Sequence, residues 1–198
     1  GRCEVGLVAV GDVLSQYITW DTKSKEDLHM SSMSYTLGDG GGAAILQRVK
    51  EGEEQGIRAR WFLSDGSYWR VAVVPLMDTT GQRLFKSNAA NIEDAALKHV
   101  PIGVEEVMKK LNWDLDDIKL IIPHQVSSHI IENLFYKRLG MPPEKIYWSF
   151  PRHGNVGAAS MPVALCEALN EGLLQEGDKI LLVGGSGGFG AGVLGLIL

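Results

Sequence analysis

Cysteine is scarce in this 198-residue chain. Its two residues, Cys3 and Cys166, make no disulfide framework, and a reducing compartment is the simpler expectation. Excess positive charge is lacking as well. Nineteen Lys and Arg stand against 24 Asp and Glu, and a net charge of −5 disfavours nucleic acid as the main partner. No leader peptide is visible, because Gly1-Arg2-Cys3-Glu4 runs straight into a strand-like segment. The charge-free run 180–198 is long enough to raise a membrane question, but its seven glycines and one serine disfavour a spanning helix. These absences predict a cytoplasmic protein with neither nucleic acid nor membrane as partner. The remaining composition, 45% hydrophobic and 22% charged, is that of an ordinary globular protein able to bury a sizeable core.

The glycine-rich end organises the chain. Leu181-Leu182-Val183 enters a loop from Gly184 to Gly192, and a second apolar run leaves it, which predicts two buried strands around the loop. Glycine there lets another group approach bare backbone N–H donors. Residues 5–10 read as a buried central strand starting so early that a preceding N-terminal part is expected. Cys3, just before it, has nothing local to lower its pKa and reads as structural. Residues 12–37 are irregular, with Tyr17 and Trp20 as packing anchors. Gly38-Asp39-Gly40-Gly41-Gly42 lacks the Lys or the G-x-G-x-x-G spacing of a phosphate loop, so a tight approach of two backbones is the better reading, with Asp39 tying the turn. The charged stretch 50–56 is placed as the boundary between domains 1–50 and 51–198.

Beyond it, the sequence predicts a half-exposed strand at 57–63, a turn at 65–67, and amphipathic helices at 89–100 and 101–111. Strands at 118–122, 146–150 and 179–183 then alternate with helices at 126–139, closed by Gly140, and 157–169. This alternation is that of an α/β fold with a mainly parallel mixed sheet flanked by helices.

Two polar side chains stand out against this frame. His124 follows Ile121-Ile122-Pro123, at the carboxyl end of a strand, where open α/β sheets bind ligands; a lone histidine is as readily structural. Asn155 lies just before a helix and reads either as an N-cap or as a hydrogen-bond donor to a ligand. His153 reads as a ligand or a turn residue. A His, an Asn and a glycine loop able to form an oxyanion hole point to carbonyl chemistry.

The motifs Gly38-Asp39-Gly40-Gly41-Gly42-Ala43, Asp65-Gly66-Ser67-Tyr68, Pro123-His124-Gln125, Leu139-Gly140-Met141, Arg152-His153-Gly154-Asn155, Ala158-Ala159-Ser160 and the final glycine loop share an order. That order resembles β-ketoacyl-acyl-carrier-protein synthase III of the thiolase superfamily. The likeness runs over 5–198 and implies a thiolase-like C-terminal half plus the last strands of the N-terminal half. In that family a cysteine takes an acyl group from a CoA thioester. A His and an Asn then hold the carbonyl oxygen of a malonyl thioester as it loses CO2. Carried over, His124 and Asn155 are those donors and Gly187 supplies an oxyanion N–H. The resemblance also implies acyl-CoA and malonyl-acyl carrier protein as partners, a homodimer when complete, a role in fatty acid or secondary-metabolite synthesis, and neither metal nor resident cofactor. Lys137 and Arg138 match a basic pair near the carrier-protein docking surface, although a solvated helix face accounts for them equally.

Two departures stand beside the likeness. The family's nucleophilic cysteine lies upstream of the matched segment, and Cys166 falls within a helix, where it is expected to be buried and inert. The chain alone is therefore expected to be inactive, needing an N-terminal half or a partner subunit that carries the cysteine. Ser127 and His129 replace the usual Asn and Arg, which implies altered CoA and carrier contacts. Acyl transfer without decarboxylation and a non-catalytic dimerisation or regulatory half are the alternatives; keeping both His124 and Asn155 favours condensation.

Overall fold

The computed structural model describes residues 4–75 and 83–198; Cys3 lies outside them. The chain opens with an antiparallel pair, β1 (Val5–Val13) and β2 (Asp39–Gln47), with Val5 opposite Gln47 and Val13 opposite Asp39. Helix α1 (Lys25–Ser31) lies in the connection, its first turn capped by Ser24 Oγ. β1 is not the buried parallel strand expected at 5–10, since it pairs antiparallel with β2 and leaves Leu7 and Val8 exposed. An apolar run foretells a strand, not which neighbour covers its faces.

β3 (Gly56–Ser64) follows, and then a short ribbon of β4 (Ala72–Val73) with β5 (Lys86–Ser87). α2 (Ala89–Leu111) is one helix where two were expected. Asn88 Oδ1 caps its start and Asn112, at φ 53°, takes the left-handed conformation at its end. A proline in a helix interior costs roughly 3 kcal/mol, chiefly through one lost backbone bond. Here Pro101 is itself fully buried beside Val100 and Val104, and this packing offsets the loss.

β6 (Leu120–Pro123) leads to α3 (Ser128–Ile131), which widens into a π-helix over Glu132–Arg138 and closes at Gly140 with φ 64°. The one-turn α4 (Phe150–His153), α5 (Ser160–Asn170), β7 (Lys179–Ser186) and β8 (Gly190–Ile197) complete the chain. The main sheet has the order β3-β8-β7-β6. β3–β8 and β8–β7 are antiparallel, while β7–β6 is parallel from Leu120 opposite Ile180 to Pro123 opposite Val183. The expected mixed sheet flanked by helices is present, but it is not mainly parallel: two of its three strand pairings are antiparallel, and its parallel part is β6–β7 with one bridge between Ile121 and Ile146.

Burial on both faces explains the unbroken apolar runs of β6 and β7. Ile121, Leu181 and Val183 join the cluster under α2, with Val100, Val104 and Val107. Leu120, Ile122 and Ile180 face the other way, onto Ala164 and Ala168 of α5. The carboxyl ends of β6 and β7 thus open at one edge of a three-layer core, and the site forms there.

Candidate active site

His124 begins where β6 ends, and its backbone N–H donates to Val183 O at 2.7 Å, which extends the parallel ladder by one step. Desolvation holds the imidazole down to a pKa of about 4, so the ring is neutral near pH 7. A neutral ring offers one N–H as a donor without introducing a charge. In the unfolded chain the same ring titrates near 6.5, so on acidification the unfolded state takes up the proton first. Stability tied to His124 is therefore full above pH 6.5 and is lost between 6.5 and about 4. Urea unfolding checks this: the stability gap between wild type and His124→Asn should shrink by roughly 2 kcal/mol from pH 7.5 to 4.5. A gap that does not move with pH would contradict the desolvated neutral ring.

Asn155 is stitched to the first hairpin by its main chain. Its N–H donates to Thr36 O at 2.6 Å, and Gly38 N–H donates to its carbonyl at 2.9 Å. Its side-chain Oδ1 accepts from Gly157 N–H at 3.0 Å. A backbone N–H only donates, so this bond fixes the amide orientation and leaves Nδ2 as the free donor. The residue closes a side-chain turn rather than capping α5, which starts later behind a short turn at Gly157–Ala159. Asp12, which the sequence offered no reason to single out, accepts from Ala158 N–H at 2.9 Å. Asp39 ties no turn of its own glycine run, which is strand; it holds the short turn at Leu14–Tyr17, accepting from Ser15 N–H at 2.8 Å and Ser15 Oγ at 2.7 Å. The tip of the exposed hairpin thus anchors the Asn155 turn.

His124, Asn155 and Gly187 all line one cavity of about 700 Å³. Ile92, Ala96 and Val100 of α2 form one wall, and Ile130 and Leu134 of the α3 segment another. Such a lining lowers the local dielectric and strengthens any hydrogen bond made inside. Gly187 is seated so closely on Ala72 that an added Cβ would lie 2.7 Å from the Ala72 Cβ. Two neutral donors and a glycine loop around an apolar space are suited to a developing carbonyl oxyanion.

The other candidates fall elsewhere. His153 Nε2 lies 2.7 Å from Glu167 Oε1 and, with Arg152 at 2.8 Å from Glu167 Oε2, holds α4 on α5 outside the cavity. Cys166 is exposed on α5, not buried as expected, because the buried residues of that helix are Ser160, Ala164 and Ala168. Lys137 and Arg138 are exposed, and Lys137 Nζ donates to Asn133 Oδ1 at 2.8 Å. Ser127 caps α3 through Ile130 N–H at 3.3 Å, and His129 lies 3.0 Å from Asn133 and 3.6 Å from Glu93.

Gln125 is fully buried and does the pairing expected of a strand at 146–150. Toward β6, among the described residues, that segment makes the Ile121–Ile146 bridge and a bond from Tyr147 N–H to Ile121 O, 3.0 Å. Gln125 Nε2 then donates to Tyr147 O at 2.7 Å, while its Oε1 accepts from Ser149 N–H at 3.0 Å and Phe150 N–H at 2.6 Å. One side-chain amide replaces a neighbouring strand, and Pro151 turns the chain into α4. Gln125→Leu should therefore lose about 3 kcal/mol or more in denaturant unfolding, since it strands buried backbone groups. A loss under about 1 kcal/mol would mean that water replaces the amide.

Comparison with known proteins finds relatives along most of the chain. The family described as 3-oxoacyl-[acyl-carrier-protein (ACP)] synthase III C terminal matches residues 108–196. The β-ketoacyl-[acyl-carrier-protein] synthase III of Clostridium perfringens is 33% identical over 197 residues, covering 95% of this chain and 57% of that protein. That of Natranaerobius thermophilus is 33% identical over 193 residues, covering 92% and 56%. The crystal structure of the Thermus thermophilus synthase III superposes with a TM-score of 0.83 at 28% identity, over 100% of this chain and 60% of that one. The Aquifex aeolicus enzyme gives 0.81 at 28% identity, over 98% and 58%. The chain spans a little over half the length of the curated relatives it matches.

Proposed function

We propose that this chain, whose residues 108–196 match the C-terminal domain family of 3-oxoacyl-[acyl-carrier-protein] synthase III within a thiolase-like fold, carries the decarboxylation half of a condensing site. The complete protein joins an acyl-CoA primer to malonyl-acyl carrier protein. It works as a homodimer, and its substrates arrive on coenzyme A and phosphopantetheine. The observation behind this reading is the shared cavity, where neutral His124 and the free Asn155 Nδ2 stand with the glycine loop.

Acyl transfer comes first. A cysteine thiolate attacks the thioester carbonyl of the primer, the oxyanion leans on the Gly187 N–H, and CoA leaves as its thiolate. Cys166 is no candidate for that nucleophile, because it does not line the cavity. The cysteine comes from the part of the family fold upstream of the matched segment. The malonyl thioester then places its carbonyl oxygen between His124 and Asn155. The bond to its carboxylate breaks, CO2 departs, and the electron pair remains as an enolate held by the two donors. The enolate carbon attacks the acyl-cysteine and expels the thiolate.

CO2 release tests the reading. The complete protein, incubated with an acyl-CoA and carboxyl-labelled malonyl-acyl carrier protein, should release one CO2 per 3-oxoacyl product. Acyl transfer to the carrier without CO2 would point instead to a simple acyltransferase. No helix among the described residues is long and apolar enough to cross a membrane.

A further inference from the structure

His99 is a buried polar residue on the core face of α2, 7% exposed, among Ala95, Ala96 and Val100. Apolar packing alone has no use for an imidazole there. Its Nε2 lies 2.9 Å from Asp65 Oδ2. Its ring stacks on Phe189, with centroids 5.9 Å apart and planes at 27°, and meets the edge of Tyr68 at 6.1 Å. His99 does not line the cavity, whereas Phe189 does.

Asp65 links the imidazole to the glycine loop. Its N–H donates to Phe189 O at 2.8 Å, and Phe189 N–H donates back to Asp65 O at 2.9 Å. The Asp65 carboxylate is further held by Ser67 N–H at 3.0 Å, Ser67 Oγ at 2.6 Å and Lys98 Nζ at 3.7 Å. Both ends of Phe189 are thereby fixed, its ring by His99 and its main chain by Asp65. Phe189 follows Gly187 by two residues, and Gly188 between them brings no side chain of its own to hold the loop. We propose that His99 and Asp65 are positioning residues that fix Phe189 and, through it, the Gly187 amide. The kinetic consequence rests on the role given to Gly187 above.

Two readouts on the complete protein separate the proposal from that role. His99→Leu keeps the apolar volume and removes the ring nitrogen. His99→Gln keeps an N–H donor in nearly the same place. Deuterium exchange of the peptide covering 186–190 should accelerate roughly tenfold or more in His99→Leu, while 119–123 stays protected and His99→Gln stays near wild type. Acyl transfer from CoA should slow roughly tenfold in His99→Leu, with malonyl decarboxylation changed less than about twofold, since a displaced donor harms only the step it serves. Unchanged exchange at 186–190 overturns the proposal whatever the kinetics. Accelerated exchange at 119–123 as well overturns it too, because the histidine would then be ordinary core. Faster exchange confined to 186–190 with unaltered acyl transfer sustains the positioning and removes Gly187 from the reaction instead.

Discussion

His124→Ala and Asn155→Ala should each sharply slow malonyl decarboxylation in the complete protein and leave acylation of its cysteine largely intact. A single preorganised donor to a developing oxyanion contributes about 3 kcal/mol, so each variant should lose roughly a hundredfold to a thousandfold in that half-reaction. Both donors are set for this before substrate arrives. Asn155 is clamped by Thr36 O and Gly38 N–H and oriented by Gly157 N–H, and His124 is kept neutral by burial. With the imidazole at about 4, decarboxylation should stay level from pH 7 down to about 5, where an ordinary histidine would already be charged. Decarboxylation of labelled malonyl thioester and loading of labelled acyl-CoA, measured separately, check the split. Equal loss of both half-reactions would show that the two side chains serve the site's architecture rather than one step.

Gly38→Ala and Gly154→Ala are expected to be the most destabilising small substitutions in the chain. A Cβ on Gly38 would sit 2.1 Å from His153 O, and one on Gly154 would sit 2.3 Å from Thr36 O. Gly154 also holds φ at 68°, a conformation that side chains disfavour. In both cases the obstacle is backbone, and it cannot retreat without breaking the bonds that clamp Asn155. Each variant should lose about 4 kcal/mol or more in denaturant unfolding, and decarboxylation with it. Gly66→Ala is the control. A Cβ there meets nothing within 4 Å, and its change should stay within about 0.5 kcal/mol. A Gly38→Ala protein as stable as that control would refute the close docking of the hairpin on the Asn155 turn.

Much of this was legible in the sequence, and the limits have physical reasons. The apolar runs around the glycine loop foretold the β7–β8 hairpin, and the order of the motifs foretold that His124, Asn155 and Gly187 would share a place. The glycine run before Ala43 foretold a close backbone approach, which Gly38 makes with His153. What periodicity cannot carry is coverage: residues 5–10 read as buried, yet their faces are mostly exposed. Local propensity also broke α2 at Pro101, where burial of the ring outweighs the missing bond. The work of Gln125 and His99 was invisible for another reason. Gln125 acts on residues 22 to 25 positions away and His99 on one 34 away, and their composition carries no trace of those partners.

The most direct test is a crystal structure of the complete protein with a non-hydrolysable malonyl or acetyl thioester analogue of phosphopantetheine. Its carbonyl oxygen should lie about 3 Å from both a ring nitrogen of His124 and Asn155 Nδ2, inside the cavity under α2. A thioester bound with that oxygen beyond hydrogen-bond reach of either side chain would contradict the site described.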